Sequence, residues 1–104
     1  MSEPTQPTGK APRTGPVLPG INRPFEHDGD RYLVECEDQG RSEAAIDLRV
    51  IRGGFQIWSK RISYSDLLER DDLSEGELEH ELATRVEKLI QTVRAAVERG
   101  KLGA

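Results

Sequence analysis

The fold is decided by residues 45–63, AIDLRVIRGGFQIWSKRIS. Ile46, Leu48 and Val50 alternate with Asp47, Arg49 and Ile51, the period-two pattern of a half-buried strand over Ala45–Arg52. Gly53 and Gly54 follow, and both can take the positive φ that the favoured two-residue hairpin turns require. A second strand therefore begins at Phe55. Counting across the turn sets Arg52 opposite Phe55, Val50 opposite Ile57, Arg49 opposite Trp58 and Asp47 opposite Lys60. On this register Phe55 and Ile57 join the buried face, and Trp58 lies on the other face beside Arg49. Further along, Ile62 and Tyr64 share the parity of Trp58, which needs either a β-bulge or partial cover on both faces.

Upstream of the hairpin, RYLVECE (31–37) alternates Tyr32, Val34 and Cys36 on one face and reads as a preceding strand, with Asp38-Gln39-Gly40 as its turn. Downstream, Ser65 reads as the N-cap of a short helix over Asp66–Arg70. A long helix comes next. Ser74 and Glu77 form a capping box, and Leu73 can staple to Leu78 across it. Apolar residues recur at Leu78, Leu82, Val86, Leu89, Ile90, Val93 and Val97, and Gly100 is placed to end the helix. The expected architecture is α+β: a three-stranded antiparallel β-meander, a short helix and a long C-terminal helix.

Composition divides the chain at Pro24. All six prolines lie between Pro4 and Pro24. Residues 1–24 carry three basic and one acidic residue, net +2, whereas residues 25–104 carry twelve basic and eighteen acidic, net −6. The division predicts a disordered, Pro/Gly-rich tail (1–24) on an α+β core domain (25–104). Arg13-x-x-Pro16-x-x-Pro19 has the form of a Pro-rich docking ligand.

A helix of about 25 residues is roughly 37 Å long, and a short meander offers about 20 Å of strand. Part of the helix is therefore expected to find cover elsewhere. Leu82, Val86, Leu89, Val93 and Ala96 step by 4, 3, 4 and 3, the alternation of a helix-pairing seam. Residues 66–81 hold eight acids and one base, net −7, and residues 82–104 hold five bases and two acids, net +3. Two copies of such a helix attract when antiparallel. A homodimer through antiparallel long helices is the expectation.

Several function classes are excluded by the residues present. The single cysteine, Cys36, rules out an intramolecular disulfide and a cysteine-cluster zinc site. No apolar run exceeds three residues, so neither a membrane-spanning helix nor a signal-peptide core is expected, and a cytoplasmic location is the default. Glu77-x-x-His80 has the spacing of a metal-ligand pair, but no second long helix supplies the remaining carboxylates, so no metal is expected. There is no G-x-S-x-G elbow and no glycine-rich phosphate loop, and the carboxylates lie in mixed-charge runs. Neither a catalytic constellation nor a cofactor site is read. The net charge of −4 argues against broad nucleic-acid affinity.

One surface stands out. Residues 44–61 carry Arg49, Arg52, Lys60 and Arg61 against Asp47 alone, net +3, with Trp58 interleaved. Tryptophan and arginine are enriched at protein interfaces, and the same group suits a stacking platform for a nucleotide or other anion. The leading expectation is a non-enzymatic interaction or adaptor protein. It docks a partner of unread identity through Arg49, Arg52, Trp58 and Lys60, and through the Pro-rich arm. A small-ligand module at the same hairpin face is the alternative.

Three stretches also carry a resemblance: YLVECEDQG (32–40), SYSDLL (63–68) and the helix ending in Arg99-Gly100. Over roughly residues 25–103 the chain resembles a family of small, uncharacterised bacterial proteins. That family often has threonine where Cys36 stands and a glutamine-histidine pair where Val86-Glu87 stands. The resemblance implies a β-meander-plus-helix domain and no activity.

Overall fold

Two tight turns with paired positive φ values organise the sheet. The computed structural model describes residues 15–102. Its strands are β1 (Ile21–His27), β2 (Asp30–Asp38), β3 (Ala45–Arg52) and β4 (Phe55–Ser63), followed by α1 (Ser65–Leu68) and α2 (Glu75–Glu98). The strands pair in chain order as one antiparallel four-stranded sheet, β1-β2-β3-β4. Gly53 and Gly54 take φ of 58° and 89°, the hairpin turn that the sequence requires.

The sheet has one strand more than the three expected. β1 begins at Ile21, inside the stretch assigned to the tail, and pairs with β2 from Ile21↔Cys36 to His27↔Asp30. Asp28 (φ 56°) and Gly29 (φ 85°) make its turn, an Asp-Gly hairpin of the same class as Gly53-Gly54. Pro24 is accommodated because β1 is an edge strand, where a missing backbone N–H is tolerated. Leu18 is also buried in the core, so the folded unit begins well before residue 25.

The inner face of the sheet carries Phe25, Tyr32, Val34, Cys36, Ile46, Leu48 and Val50, all buried. Against it lies α2, opened by the anticipated capping box. Glu77 N–H donates to Ser74 Oγ at 3.1 Å, and Ser74 N–H donates to Glu77 Oε1 at 2.8 Å. Gly100 follows the helix with φ 70°. Leu78, Leu82, Val86, Ile90, Val93 and Val97 are all buried within this one chain. Cover is sufficient because β1 widens the sheet, β2 and β4 run nine residues, and Leu18, Tyr64 and Leu67 join the core. Nine residues of strand span about 30 Å, close to the length of the helix. The predicted short helix is four residues, Ser65–Leu68, with Tyr64 rather than Ser65 at its N-cap and no side-chain cap bond. Tyr64 is held there by its own buried side chain.

That side chain leads to the one buried charged residue among those described, Asp38. Asp38 Oδ1 accepts from Tyr64 Oη at 2.6 Å and from Gly40 N–H at 2.8 Å. Its Oδ2 accepts from the backbone N–H groups of Val17 at 2.6 Å and Leu18 at 3.1 Å. Four donors from three separate segments thus converge on one carboxylate. Burial, and next the hydrogen bond to Asp38, push the Tyr64 phenol well above the ordinary tyrosine range.

Side chains also fasten the helix to the sheet. Arg23 on β1 forks onto Glu87 at 2.6 and 3.0 Å, and Arg41 in the β2–β3 loop forks onto Glu75 at 2.8 and 3.4 Å. The Arg94 guanidinium sits 5.0 Å above the Phe25 ring, which itself stacks on Tyr32 at 5.1 Å.

Two stability predictions follow from these ties. Asp38→Ala strands buried donors on three segments and is expected to cost about 3–5 kcal/mol in urea denaturation, whereas Tyr64→Phe costs about 1.5–3 kcal/mol. Equal and small losses in both variants would show that the carboxylate is not a shared anchor. The hydrogen bond from Arg23 holds the Glu87 carboxyl below its usual range. Its contribution is fully present above the ordinary glutamate pKa of about 4.3 and is lost as the pH falls through the lowered folded value. Both side chains are partly exposed, so Glu87→Gln should lose at most about 1 kcal/mol at pH 7. The melting temperatures of variant and parent should converge below about pH 4.

Candidate interaction surface

The β3–β4 pairing departs from the expected register, and the departure moves the tryptophan. Arg52↔Phe55 and Ile51↔Gln56 pair across the turn, and then the register shifts between Val50 and Ile51. Val50 pairs with Trp58, Leu48 with Lys60 and Ile46 with Ile62. Ile57 is the extra residue of a β-bulge, the first of the two options that the strand's shifting alternation allowed. The consequence is a reversal of faces. Trp58, Lys60 and Ile62 share the inner face with the core, whereas Arg49 pairs with Ser59 on the outer face. Arg49 and Trp58 therefore do not form one site. Phe55, expected in the core, is 76% exposed at the hairpin tip.

On the outer face the basic residues are consumed by the sheet's own acids. Arg49 reaches Glu35 at 3.1 Å and Glu37 at 3.2 Å. Arg61 reaches Asp47 at 2.8 Å and Glu43 at 3.1 Å. The hydrogen bond from Arg61 holds the Asp47 carboxyl below its usual range. On this face Arg49 and Arg61 are thus both paired with carboxylates of the same sheet. Among the described residues Arg52 and Lys60 make no ion pair within 4.0 Å.

The helix covers the sheet unevenly. Glu87 and Arg94 meet β1 on one flank of α2. At about 100° per residue, Arg85, Leu89 and Ala96 project from the opposite flank, toward β4. Arg85 forks there onto Asp66 of α1 at 2.8 and 2.9 Å. No residue of β4 is buried, although Trp58 and Ile62 lie on its inner face. Trp58, Ile62, Leu68 and Leu89 are each partly buried against the edge of the core. Along β4 the exposed Phe55 and the partly buried Trp58 and Ile62 make an incompletely covered apolar strip, and Leu89 and Ala96 lie on the flank of α2 that turns toward it.

The strip gathers residues that the sequence assigned to two different tasks. Trp58 and Lys60 come from the hairpin set, with Arg52 at the tip, and Leu89 and Ala96 come from the helix seam. The other seam residues are spent: Leu82, Val86 and Val93 are 1%, 0% and 5% exposed beneath α2. An antiparallel helix seam on all five residues would require dismantling the core. Leu68 has no counterpart among the surface residues of the sequence reading, and Ile62 enters that reading only through the parity it shares with Trp58.

The proline-arm reading is also altered. Arg13 lies outside the described residues. Pro16 and Pro19 are exposed, but Val17 and Leu18 between them are fixed to Asp38. Between Pro16 and Pro19 the backbone is thus tied to the folded core. Ser74 engages the Glu77 carboxylate, which leaves it committed to the helix cap. Among the described residues no three His, Cys, Asp or Glu side chains gather as a metal site, and no helix is long and apolar enough to cross a membrane.

Cys36 points into the core between Ile21 and Leu48 in register. Burial, more than any neighbouring charge, pushes its thiol up to about 11. No protein-family model, curated protein or solved structure matches this chain. A buried, protonated thiol should react slowly. Native protein at pH 8 is expected to leave Cys36 unlabelled by an aromatic disulfide reagent over minutes, with stoichiometric labelling in denaturant. Rapid native labelling would reopen Cys36 as a nucleophile.

Proposed function

We propose that the protein is a non-enzymatic interaction module whose docking surface is the apolar strip along β4. The observation that carries this reading is the half-open inner face of the edge strand. Trp58 and Ile62 lie on a core-facing surface that the helix leaves partly uncovered, and Leu89 is partly buried on the flank of α2 turned toward it. A tryptophan so placed keeps part of its ring uncovered, and a rigid ring loses little entropy on binding. The exposed Phe55 extends the strip at the hairpin tip, and Lys60 and Arg52 supply uncompensated charge at its margin. The geometry favours a protein surface as occupant over a small anion, because the strip is open and apolar and the outer-face arginines are already paired.

The reading is tested by affinity capture with the full chain as bait. Trp58→Glu and Phe55→Glu should each lose at least ten-fold in recovery of a partner identified by mass spectrometry, with far-ultraviolet circular dichroism unchanged. Arg49→Glu, on the outer face, should retain it. Loss on Arg49→Glu with retention on Trp58→Glu would move the docking surface to the other side of the sheet.

A further inference from the structure

Resting on that reading, we propose that the occupant of the strip is a second copy of this chain, added antiparallel to β4 about a two-fold axis at Ser59. The first ground is the asymmetry of the two sheet edges. β1 carries Pro24, a residue that blunts an edge against further pairing, whereas β4 runs nine residues without proline. The free side of β4 presents unpaired backbone donors and acceptors beside an apolar strip, a template for strand addition.

The register follows from side-chain chemistry. An antiparallel self-pair must keep inner-face residues on one face, so residue numbers in each pair sum to an even value near twice the dyad position. A dyad at Lys60 would oppose two like charges, which is unfavourable. A dyad at Trp58 would set the bulge residue Ile57 directly beside the axis, whereas a dyad at Ser59 moves it two residues out, opposite Arg61 of the second copy, and leaves residues 58–60 to pair regularly. A dyad at Ser59 sets Trp58 opposite Lys60 of the second copy, twice, so that each ammonium meets an indole ring. It also opposes the two small Ser59 side chains on the outer face.

Charge supports the same arrangement. The hairpin tip and the C-terminal part of α2 lie at one end of the sheet, where Arg52 is in register with Tyr32 and Phe55. The opposite end of β4 leads into α1, where Asp66 is already paired with Arg85 and Glu69 is an acid with no ion pair among the described residues. Antiparallel addition brings the basic end of each copy against the acidic end of the other, whereas parallel addition would set like charges together. The product is an eight-stranded sheet joined through residues 58–60 about the dyad, with both long helices antiparallel on one face. Leu89 and Ala96 of the two helices then flank a central floor of paired β4 strands.

The test uses the full chain in three forms. Wild type should sediment at about 23 kDa, twice 11.6 kDa, at tens of micromolar. Lys60→Glu changes an exposed side chain and should weaken the dimer by about two- to five-fold, and Trp58→Glu should give monomer. Ser59→Cys places two thiols across the dyad at a separation compatible with a disulfide. It should yield covalent dimer in oxidised glutathione, and Ser63→Cys, far from the dyad, should not. Wild type that stays monomeric at 100 µM would overturn the inference. So would equal cross-linking of the two cysteine variants, or a dimer indifferent to both Lys60→Glu and Trp58→Glu. A monomer that still captures another protein through Trp58 would overturn self-pairing and leave the docking surface standing, so the two failures are distinguishable.

Discussion

The rest of the molecule depends on the Asp38 carboxylate. A charge this deeply buried is costly unless several donors replace the water it has lost. Here they come from the entering chain at Val17 and Leu18, from the turn at Gly40 and from Tyr64 at the exit of β4. The carboxylate stands at the end of β2, so it sets where the first segment, the β2–β3 turn and the β4–α1 junction meet. The start of α2 is held to the same end by Arg41 on Glu75. Once that end is fixed, the helix can only run back along the sheet toward Phe25 and Tyr32.

The strip along β4 is a matter of widths. Four strands about 4.8 Å apart span more than one helix of about 10 Å diameter can shelter. One margin of the sheet must stay under-covered, and the Arg23–Glu87 fork and the Arg94–Phe25 contact draw α2 toward β1. The deficit falls on β4. The bulge at Ile57 then decides its character, because it turns Trp58 to the sheltered side, while Phe55 keeps its place opposite Arg52 at the exposed hairpin tip. Without it, the apolar ring would stand among the outer-face ion pairs.

Much of the fold is legible in the sequence, and the failures have identifiable causes. The β3 strand, the Gly53-Gly54 turn, the Ser74–Glu77 box and the buried stripe of α2 are local signals, and local signals were sufficient for them. β1 was hidden because the prolines of residues 4–24 outweighed the Asp28-Gly29 hairpin signal immediately after them. The candidate surface was only partly legible. Trp58, Lys60, Leu89 and Ala96 were each singled out, but the sequence could not place them together, since one bulge reverses a strand's faces and leaves no mark in composition. The seam residues Leu82, Val86 and Val93 show the converse difficulty. A heptad-like alternation fits a helix laid on its own sheet as well as a helix pair.

The order of the strands has a consequence for how the chain reaches this structure. Every strand pairs with its neighbour in sequence, so the sheet can assemble by successive hairpin closures, each spanning a short loop. The Asp38 contacts are different in kind: their partners lie 20, 21 and 26 residues away along the chain. Those from Val17 and Leu18 become available once β1 lies along β2, and that from Tyr64 only when β2, β3 and β4 already stand side by side. The buried carboxylate thus acts as a proofreading contact, satisfied in full by the correctly registered meander and left desolvated and short of partners by a slipped one.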